Sequence, residues 1–468
     1  GRSGVAGLEE ETMAESATPA DRLAHGKAIR KTVPRSSHAA WEPPADRTDP
    51  VTLITDQDKD RLQFLVPIRH YRMAESAFTF YRGAATIMAT DLAGTPATGL
   101  TSQLCGDAHL SNFGSFGTVT REQIFDINDF DETLPGPWEW DLKRLVASFV
   151  LAGRDNGFDG DDTLEMTRNA VVGYQQAMAK FTTMTTLDVW YAHLTLQQIT
   201  DALPDKKDRK RSQKDAAKAR SKDSLKAQKK LAEKVDGNFR IKSEPPLLIP
   251  LRDMPAAQNP DELRSQAESS FAEYRSTLAD NRRVLLDKYR IVDMALKVVG
   301  VGSVGTRCVI VLLEANDDSD PLFLQIKEAT NSVLEAHLTK SDYSHHGERV
   351  VKGQRLMQVS GDIFLGWSVG SAGHAFYWRQ LYDMKGSPDI DEMSPRRLKG
   401  YAKLCGWTLA HAHARSGDPF QISGYIGSGE VFVDALTEFA YAYADQAQQV
   451  YEAFTAAIAS GRIEAKEG

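Results

Sequence analysis

Between residues 105 and 114 the chain reads CGDAHLSNFG, and between 124 and 132 it reads IFDINDFDE. Short apolar runs alternate with turn residues here, and WEWDLKRLVASFVLAGR (138–154) then resumes helical spacing. A loop, a hairpin and a helix are therefore expected from Thr101 onward. Chemistry on phosphates asks such a loop for a carboxylate near the acceptor hydroxyl, an amide oxygen, and a further carboxylate for magnesium. Asp107, Asn112 and Asp129 supply one of each. Asp and Asn also cap ordinary turns, but His109 between the first two and Asp129 downstream make more than a turn needs.

Asp107 and Asn112 lie five residues apart, the separation of aspartate and asparagine in HRDxxxxN loops. Gly106, Asp107, His109 and Asn112, followed by Asp129, Phe130 and Asp131, resemble the aminoglycoside phosphotransferase and choline kinase branch of the kinase-like superfamily. There a Gly-Asp-x-His-x-x-Asn loop precedes an Ile-Asp-Phe-Asp strand end. The resemblance implies that Asp107 is the base or hydroxyl-orienting residue, joined in the catalytic loop by His109, whose favoured part is packing and hydrogen bonding. It implies magnesium on Asn112 and Asp129, and a helix-start aspartate, Asp141, anchoring the loop. Asn128 stands where relatives carry an apolar residue, which leaves Asp126 as a rival ligand. Asp418 in ARSGDPFQISG is a second possible loop aspartate, but Ser423 rather than Asn follows five residues later.

A kinase-like site also needs a loop over the phosphates and a lysine, and both follow Asp107 in this chain. Gly300, Gly302 and Gly305 sit between two strand-like runs, where glycines permit close backbone approach to phosphates. Lys327 ends the apolar run PLFLQIK, where an ammonium needs a partner or a ligand. Glu348 in the following helix has the better separation for pairing with it, and Glu335 is the alternative. HAFYWRQLYDMKGS (374–387) looks like the strand and linker whose backbone would meet adenine, and LCGWTLAHAHARSGD (404–418) like the helix that in relatives runs into the catalytic loop. The implied fold is α+β, two-lobed and protein-kinase-like, circularly permuted, with a small antiparallel sheet lobe and a large, mostly helical lobe. Arg82 in FYRGAA is placed either to approach an acceptor or phosphate or to pair with a carboxylate of the loop.

The expected organisation is a mobile tail over 1–50, a helical part with the catalytic loop over 51–285, a β-rich nucleotide-clamping part over 286–390, and helices over 391–468 that complete the helical lobe. DQDKDRLQFLVPIRHYRM from Asp56 reads as one helix and FTFYRGAATIMATDL (78–92) as another. Residues 205–234 carry 13 Lys/Arg against 5 Asp/Glu, a solvated and partly helical insertion. The whole chain of 468 residues has a formal charge of −8 and a pI near 5.8, which disfavours nucleic acid or an anionic membrane as partner of the whole molecule. Three scattered cysteines outline neither a disulfide framework nor a zinc site, and a cytoplasmic setting fits them. No apolar run reaches the length of a membrane span, and the start lacks a signal-peptide core.

FYRGAA (80–85), QLCGDAHLSNFG (103–114), FDINDFDETLPGPWEWDLKRL (125–145), RVVKGQRLMQ (349–358), RQLYDMKGS (379–387) and AHAHARSGD (410–418) together resemble the bacterial family of domain of unknown function 2252, grouped with kinase-like proteins. The leading expectation is an ATP- and magnesium-dependent phosphotransferase acting on a small-molecule hydroxyl, with the acceptor and the oligomeric state open. Behind it stand adenylyl transfer to a protein from the same site, a non-catalytic nucleotide-binding regulator, nucleic-acid binding through 205–234, and a metal-dependent hydrolase on Asp107, His109, Asp126 and Asp129.

Overall fold

The computed structural model describes residues 17–254, 260–370 and 373–468. The first sixteen residues of the expected tail lie outside this range, and from Thr18 the tail expectation is overturned. Thr18 and Asp21 form a reciprocal capping box that starts helix α1 (Pro19–Ile29). A Cβ on Gly26 would stand 2.0 Å from the Gln421 carbonyl oxygen, so glycine is what lets α1 lie directly on a C-terminal helix. Arg30 donates to the Tyr425 and Gly424 carbonyls, and buried His38 meets the Tyr425 hydroxyl at 2.8 Å. Polar composition concealed this arm because its contacts are mostly to backbone.

The two helices expected over 56–92 are four: α2 (Pro50–Asp58), α3 (Val66–Met73), α4 (Ala77–Gly83) and α5 (Ala85–Leu92). Pro67 opens α3, where a missing N–H is harmless. Ala84, at φ −120° and ψ 36°, leaves the helical region, and the Gly83 carbonyl accepts from buried Arg69 instead. Arg69 and His70 both reach Asp58, at 2.5 and 2.7 Å.

The segment from Thr101 folds as expected, with strands β1 (Thr101–Leu104), β2 (Phe113–Gly117), β3 (Gln123–Ile127) and β4 (Leu134–Pro137) leading into α6 (Trp138–Asp155). β1 pairs antiparallel with β4, and β2 with β3. After α7 (Gly160–Phe181) and α8 (Thr186–Tyr191), the short β5 (Leu194–Thr195) adds to β3 and leads into α9 (Leu196–Ala202). The basic insertion is α10 (Lys206–Arg220), α11 (Ser224–Leu231) and the start of the hairpin β6 (Ala232–Val235) and β7 (Asn238–Ile241).

Next come β8 (Leu248–Pro250), α12 (Pro260–Ser276), α13 (Asp280–Leu286), β9 (Arg290–Lys297), β10 (Cys308–Glu314), β11 (Pro321–Glu328), α14 (His346–Met357), β12 (Gly366–Val369) and β13 (Ala375–Gln380). Their strands form one antiparallel sheet in the order β12-β13-β11-β10-β9-β8. The expected boundary at 285 is therefore too late. β8 is an edge strand of this sheet. Tyr274, Leu278 and Leu286 of the α12–α13 segment cover one face, with Tyr274 stacked on Trp378 at 4.4 Å. Ala227 and Leu231 of α11 pack on the opposite face against Ile310, Leu312 and Phe323. A sheet with two apolar faces needs a cover on each, and the chain up to Leu286 contributes to both.

The helices α15 (Pro395–Ala414), α16 (Pro419–Ile426) and α17 (Glu430–Ala459) return to the helical part, where α6, α7, α15 and α17 bury the largest apolar cluster. The mixed α and β content with small antiparallel sheets agrees with the α+β expectation. Among the described residues no helix is long and apolar enough to cross a membrane.

Candidate active site

β1 hands the chain to the loop 105–112 through Gly106, whose φ of 83° and approach to the Glu132 carbonyl leave no room for a side chain. Asp141, in the first turn of α6, fixes the loop. Its carboxylate accepts the Cys105 amide at 2.9 Å and the Gly106 amide at 3.0 Å, as the sequence suggests. His413, near the end of α15, reaches the same carboxylate at 3.0 Å and is held in turn by the Tyr174 hydroxyl at 2.8 Å. Two helices far apart in the chain thus set the loop.

The Asp107 carboxylate accepts from Arg144 Nε at 2.7 Å. Arg144 also donates to the Tyr81 carbonyl and lies 4.1 Å over the Tyr81 ring, so its guanidinium is immobile. Burial lifts the Asp107 pKa above the usual carboxylate value, against the pull of Arg144 and Arg82. His109 Nε2 is 3.6 Å from Asp107, beyond hydrogen-bond reach. Burial holds its imidazole far below its ordinary pKa, hence neutral. Asn112 donates its Nδ2 to the Asp107 carbonyl at 2.7 Å, which leaves the amide oxygen as its ligating atom.

The Asn128 amide donates to the Asn112 carbonyl at 2.8 Å and brings the turn 128–132 alongside the loop. Asp131 accepts from Lys327 Nζ at 2.6 Å and from the Tyr377 hydroxyl at 2.6 Å, and these partners hold its pKa low. Lys327 is 2% exposed, and its second carboxylate is Asp129 at 3.8 Å. Asp129 is pushed upward by burial and by the charge of Asp131. The register sets Lys327 opposite Tyr377 on β13 and Cys308 on β10, so the lysine stands in the middle of the sheet and reaches out to the turn.

This pairing overturns the expectation for Glu348 and Glu335. Glu348 sits half-buried in the first turn of α14, where its backbone amide donates to His345 Nδ1, and Glu335 accepts the Ser341 amide. Neither pairs with Lys327. The residue α14 contributes is buried Arg349, which donates to the carbonyls of Asp131, Thr133 and Thr330 and so holds the turn that carries the lysine's partner. Lys327 and Asp131 lie 196 residues apart, so a search along the neighbouring helix could not find the pair, although Asp131 already stood out in the DFD motif.

Three other expectations change. Asp126 is no rival ligand: its carboxylate accepts the Ile127 amide at 2.8 Å and faces the Val359 amide, and burial pushes its pKa up to about 7. Arg82 forms no ion pair within 4 Å among the described residues; its guanidinium is half-buried over the Phe78 ring, in the field of Asp107. The linker after β13 runs along β2 rather than leaving its backbone for a base. The Ser115 and Gly386 amides exchange hydrogen bonds with each other's carbonyls, and the Met384 amide donates to the Lys222 carbonyl. Asp418, for its part, caps α16 by accepting the Phe420 and Gln421 amides.

The glycine loop connects β9 to β10 and is fastened to the helical part. Arg72 reaches the Gly300 carbonyl at 2.7 Å, Arg61 the Val304 carbonyl at 2.6 Å, and the Leu62 amide the Gly305 carbonyl at 2.7 Å. Gly300 and Gly305 take positive φ, and Gly302 passes by the Arg82 carbonyl. The loop therefore lies against the backbone at Arg82 and Gly83. In the basic segment, Asp205 and Asp208 pair with Arg396, and Asp215 with Arg397, which leaves lysines and arginines on the outer side of α10.

No three His, Cys, Asp or Glu side chains gather as a metal cluster among the described residues. The Asn128–Asn112 backbone bond sets the Asn112 amide oxygen and the partly solvated Asp129 carboxylate on neighbouring segments. Such a set suits magnesium, which is commonly held by one or two protein oxygens together with waters and substrate phosphates. Residues 61–457 match the model of a family described as an uncharacterized protein conserved in bacteria. No curated protein and no solved structure matches the chain.

Proposed function

The chain belongs to that bacterial family, domain of unknown function 2252, and from its own residues we propose a magnesium-dependent, ATP-using phosphotransferase of two-lobed, circularly permuted kinase-like fold. The observation that carries the reading is the meeting of Lys327 with Asp129 and Asp131 beside Asp107 and Asn112, because it joins the sheet to the loop and hairpin at one point. A further support is the order of parts around the lysine. Lys327 lies on the third strand of a strand, glycine loop, strand, strand, helix sequence, the order in which kinases present theirs. The permutation is supported where α15 ends: Ser416 Oγ accepts the Gln103 amide of β1 at 2.8 Å, across 313 residues of sequence. A helix that in relatives runs into the loop here abuts it in space.

In this reading Asp107 orients the acceptor hydroxyl and takes its proton, a role its raised pKa assists. Arg144 keeps that carboxylate in place. Asn112 and Asp129 would hold magnesium, which would offset the charge of the phosphate oxygens. Lys327, kept cationic by its two aspartates, faces the nucleotide phosphates, and Arg349 fixes the turn to which it is tied.

Phosphorus NMR of the full chain with ATP and magnesium tests the proposal. ADP together with phosphate or a phosphorylated acceptor is the expected product. AMP with pyrophosphate would replace phosphoryl by adenylyl transfer, and unchanged ATP with acceptor-rich bacterial extract would overturn both.

A further inference from the structure

Beside the linker, outside the residues assigned to transfer, lies a small cleft between the β2–β3 hairpin, the end of α14 and β13. Most of its polar groups are already used. Gln354 donates to Gln358, which donates to the Ile127 carbonyl. Asp362 accepts the Phe364 amide on one oxygen and the Gln380 amide on the other, at 2.8 and 2.6 Å. Asp383 is paired with Arg121 at 2.6 Å. Two cations remain: Arg379, whose Nε is spent on Gln325, and Lys385. Among the described residues neither has a carboxylate within 4 Å. Both are half-buried, recessed yet reachable from the cleft.

From this arrangement we infer that the cleft is an anion-binding subsite, in which Arg379 and Lys385 together hold a phosphate or carboxylate group of a small molecule. A desolvated ammonium is costly unless something of opposite charge meets it. Burial, followed by the charge of Arg379, pushes the Lys385 ammonium down to about 7, although Asp362 and Asp383 oppose this. The cleft thus holds two cations with no ion-pair partner within 4 Å among the described residues; the carboxylates in their field are Asp362 and Asp383 for Lys385 and Asp129 and Asp131 for Arg379, and the first two are engaged by backbone amides and by Arg121. Asn128 lines the same cleft next to Asp129, so an anion seated there lies on the linker side of the proposed transfer site. The chemistry fits the polyphosphate of a nucleotide or the anionic group of a separate molecule, and it does not rest on the transfer reading.

The test is calorimetric titration of inorganic pyrophosphate into the full chain without magnesium, which takes Asn112 and Asp129 out of play. Saturable binding that falls tenfold or more in Lys385→Gln, and likewise in Arg379→Gln, is expected. Lys230→Gln, on the exposed basic surface, should bind as the parent does. Among the described residues the Lys385 side chain has no hydrogen-bond or ion-pair partner, so its variant should unfold with denaturant as the parent does. No binding to the parent, unchanged binding in both cleft variants, or an equal loss in Lys230→Gln would overturn the subsite. Where the expected pattern holds, repetition with saturating ATP and magnesium identifies the occupant: displacement of pyrophosphate assigns the subsite to the nucleotide's own phosphates, and simultaneous binding to a separate anionic molecule.

Discussion

Asp107→Asn is expected to bind MgATP as the parent does while turning it over about 10²- to 10⁴-fold more slowly, the usual worth of a positioned general base. The substitution is close to isosteric, and an asparagine oxygen can still accept from Arg144 Nε, so the loop should keep its shape. The Asp141 anchor of Cys105 and Gly106 is untouched as well. What disappears is the ability to accept a proton and the negative charge facing the acceptor. Turnover measured alongside equilibrium nucleotide binding separates the two effects. Equal loss of both would make Asp107 a structural residue, and unchanged turnover would remove it from the chemistry.

Lys327→Met should cost about 3 kcal/mol of unfolding free energy, within the 3–5 kcal/mol found when one partner of a buried pair is removed. The lower end applies because Asp129 and Asp131 keep 31% and 28% of their side-chain surface exposed and can be partly rehydrated. Methionine replaces the lysine's alkyl stem almost atom for atom and suits the apolar surroundings of β11, so the loss chiefly reports the stranded carboxylates rather than a cavity. The double variant Lys327→Met/Asp131→Asn should recover much of the loss, since an asparagine oxygen can still accept from the Tyr377 hydroxyl. Denaturant unfolding of the three proteins gives the comparison. A lysine standing at an exposed strand end would show no loss in the single variant and no recovery in the double.

The loop and hairpin were legible from sequence because their chemistry is local. Asp107, Asn112 and Asp129 are separated by short, turn-rich stretches, and Asp141 begins the helix that follows. The strand that carries Lys327 was legible for the same reason, as an apolar run between turn residues. The lysine's partner was not, because Asp131 is contributed by a segment nearly 200 residues earlier, and only the closing of the sheet onto the hairpin brings them together. Arg144 was hidden differently. In WEWDLKRL it reads as one more charge on a helix, and its role follows only from its position one turn above Asp141, where it meets Asp107. The arm over 18–39 and the covering helices of the sheet escaped detection because their packing depends on backbone contacts and on sparse apolar residues within polar stretches. Gly26 against Gln421 and Ala227 against the sheet are examples.

The proposed meeting of a nucleotide and magnesium at Asn112, Asp129 and Lys327 is put to the test by a thermal-shift titration of ATP, with and without magnesium, on the parent and on Asp129→Ala. At a hundredfold excess over Kd a ligand specific to the folded state adds about 2.7 kcal/mol, enough for a clear rise in Tm. Asp129 accepts the Asp131 amide and lies 3.8 Å from Lys327, but burial and the Asp131 charge work against its ionised form and Lys327 keeps its shorter bond to Asp131, so the variant should lose little stability without ligand. Magnesium-dependent stabilisation by ATP is expected in the parent, and its loss in Asp129→Ala. No stabilisation of the parent by ATP and magnesium, or an equal shift in the variant, would contradict it.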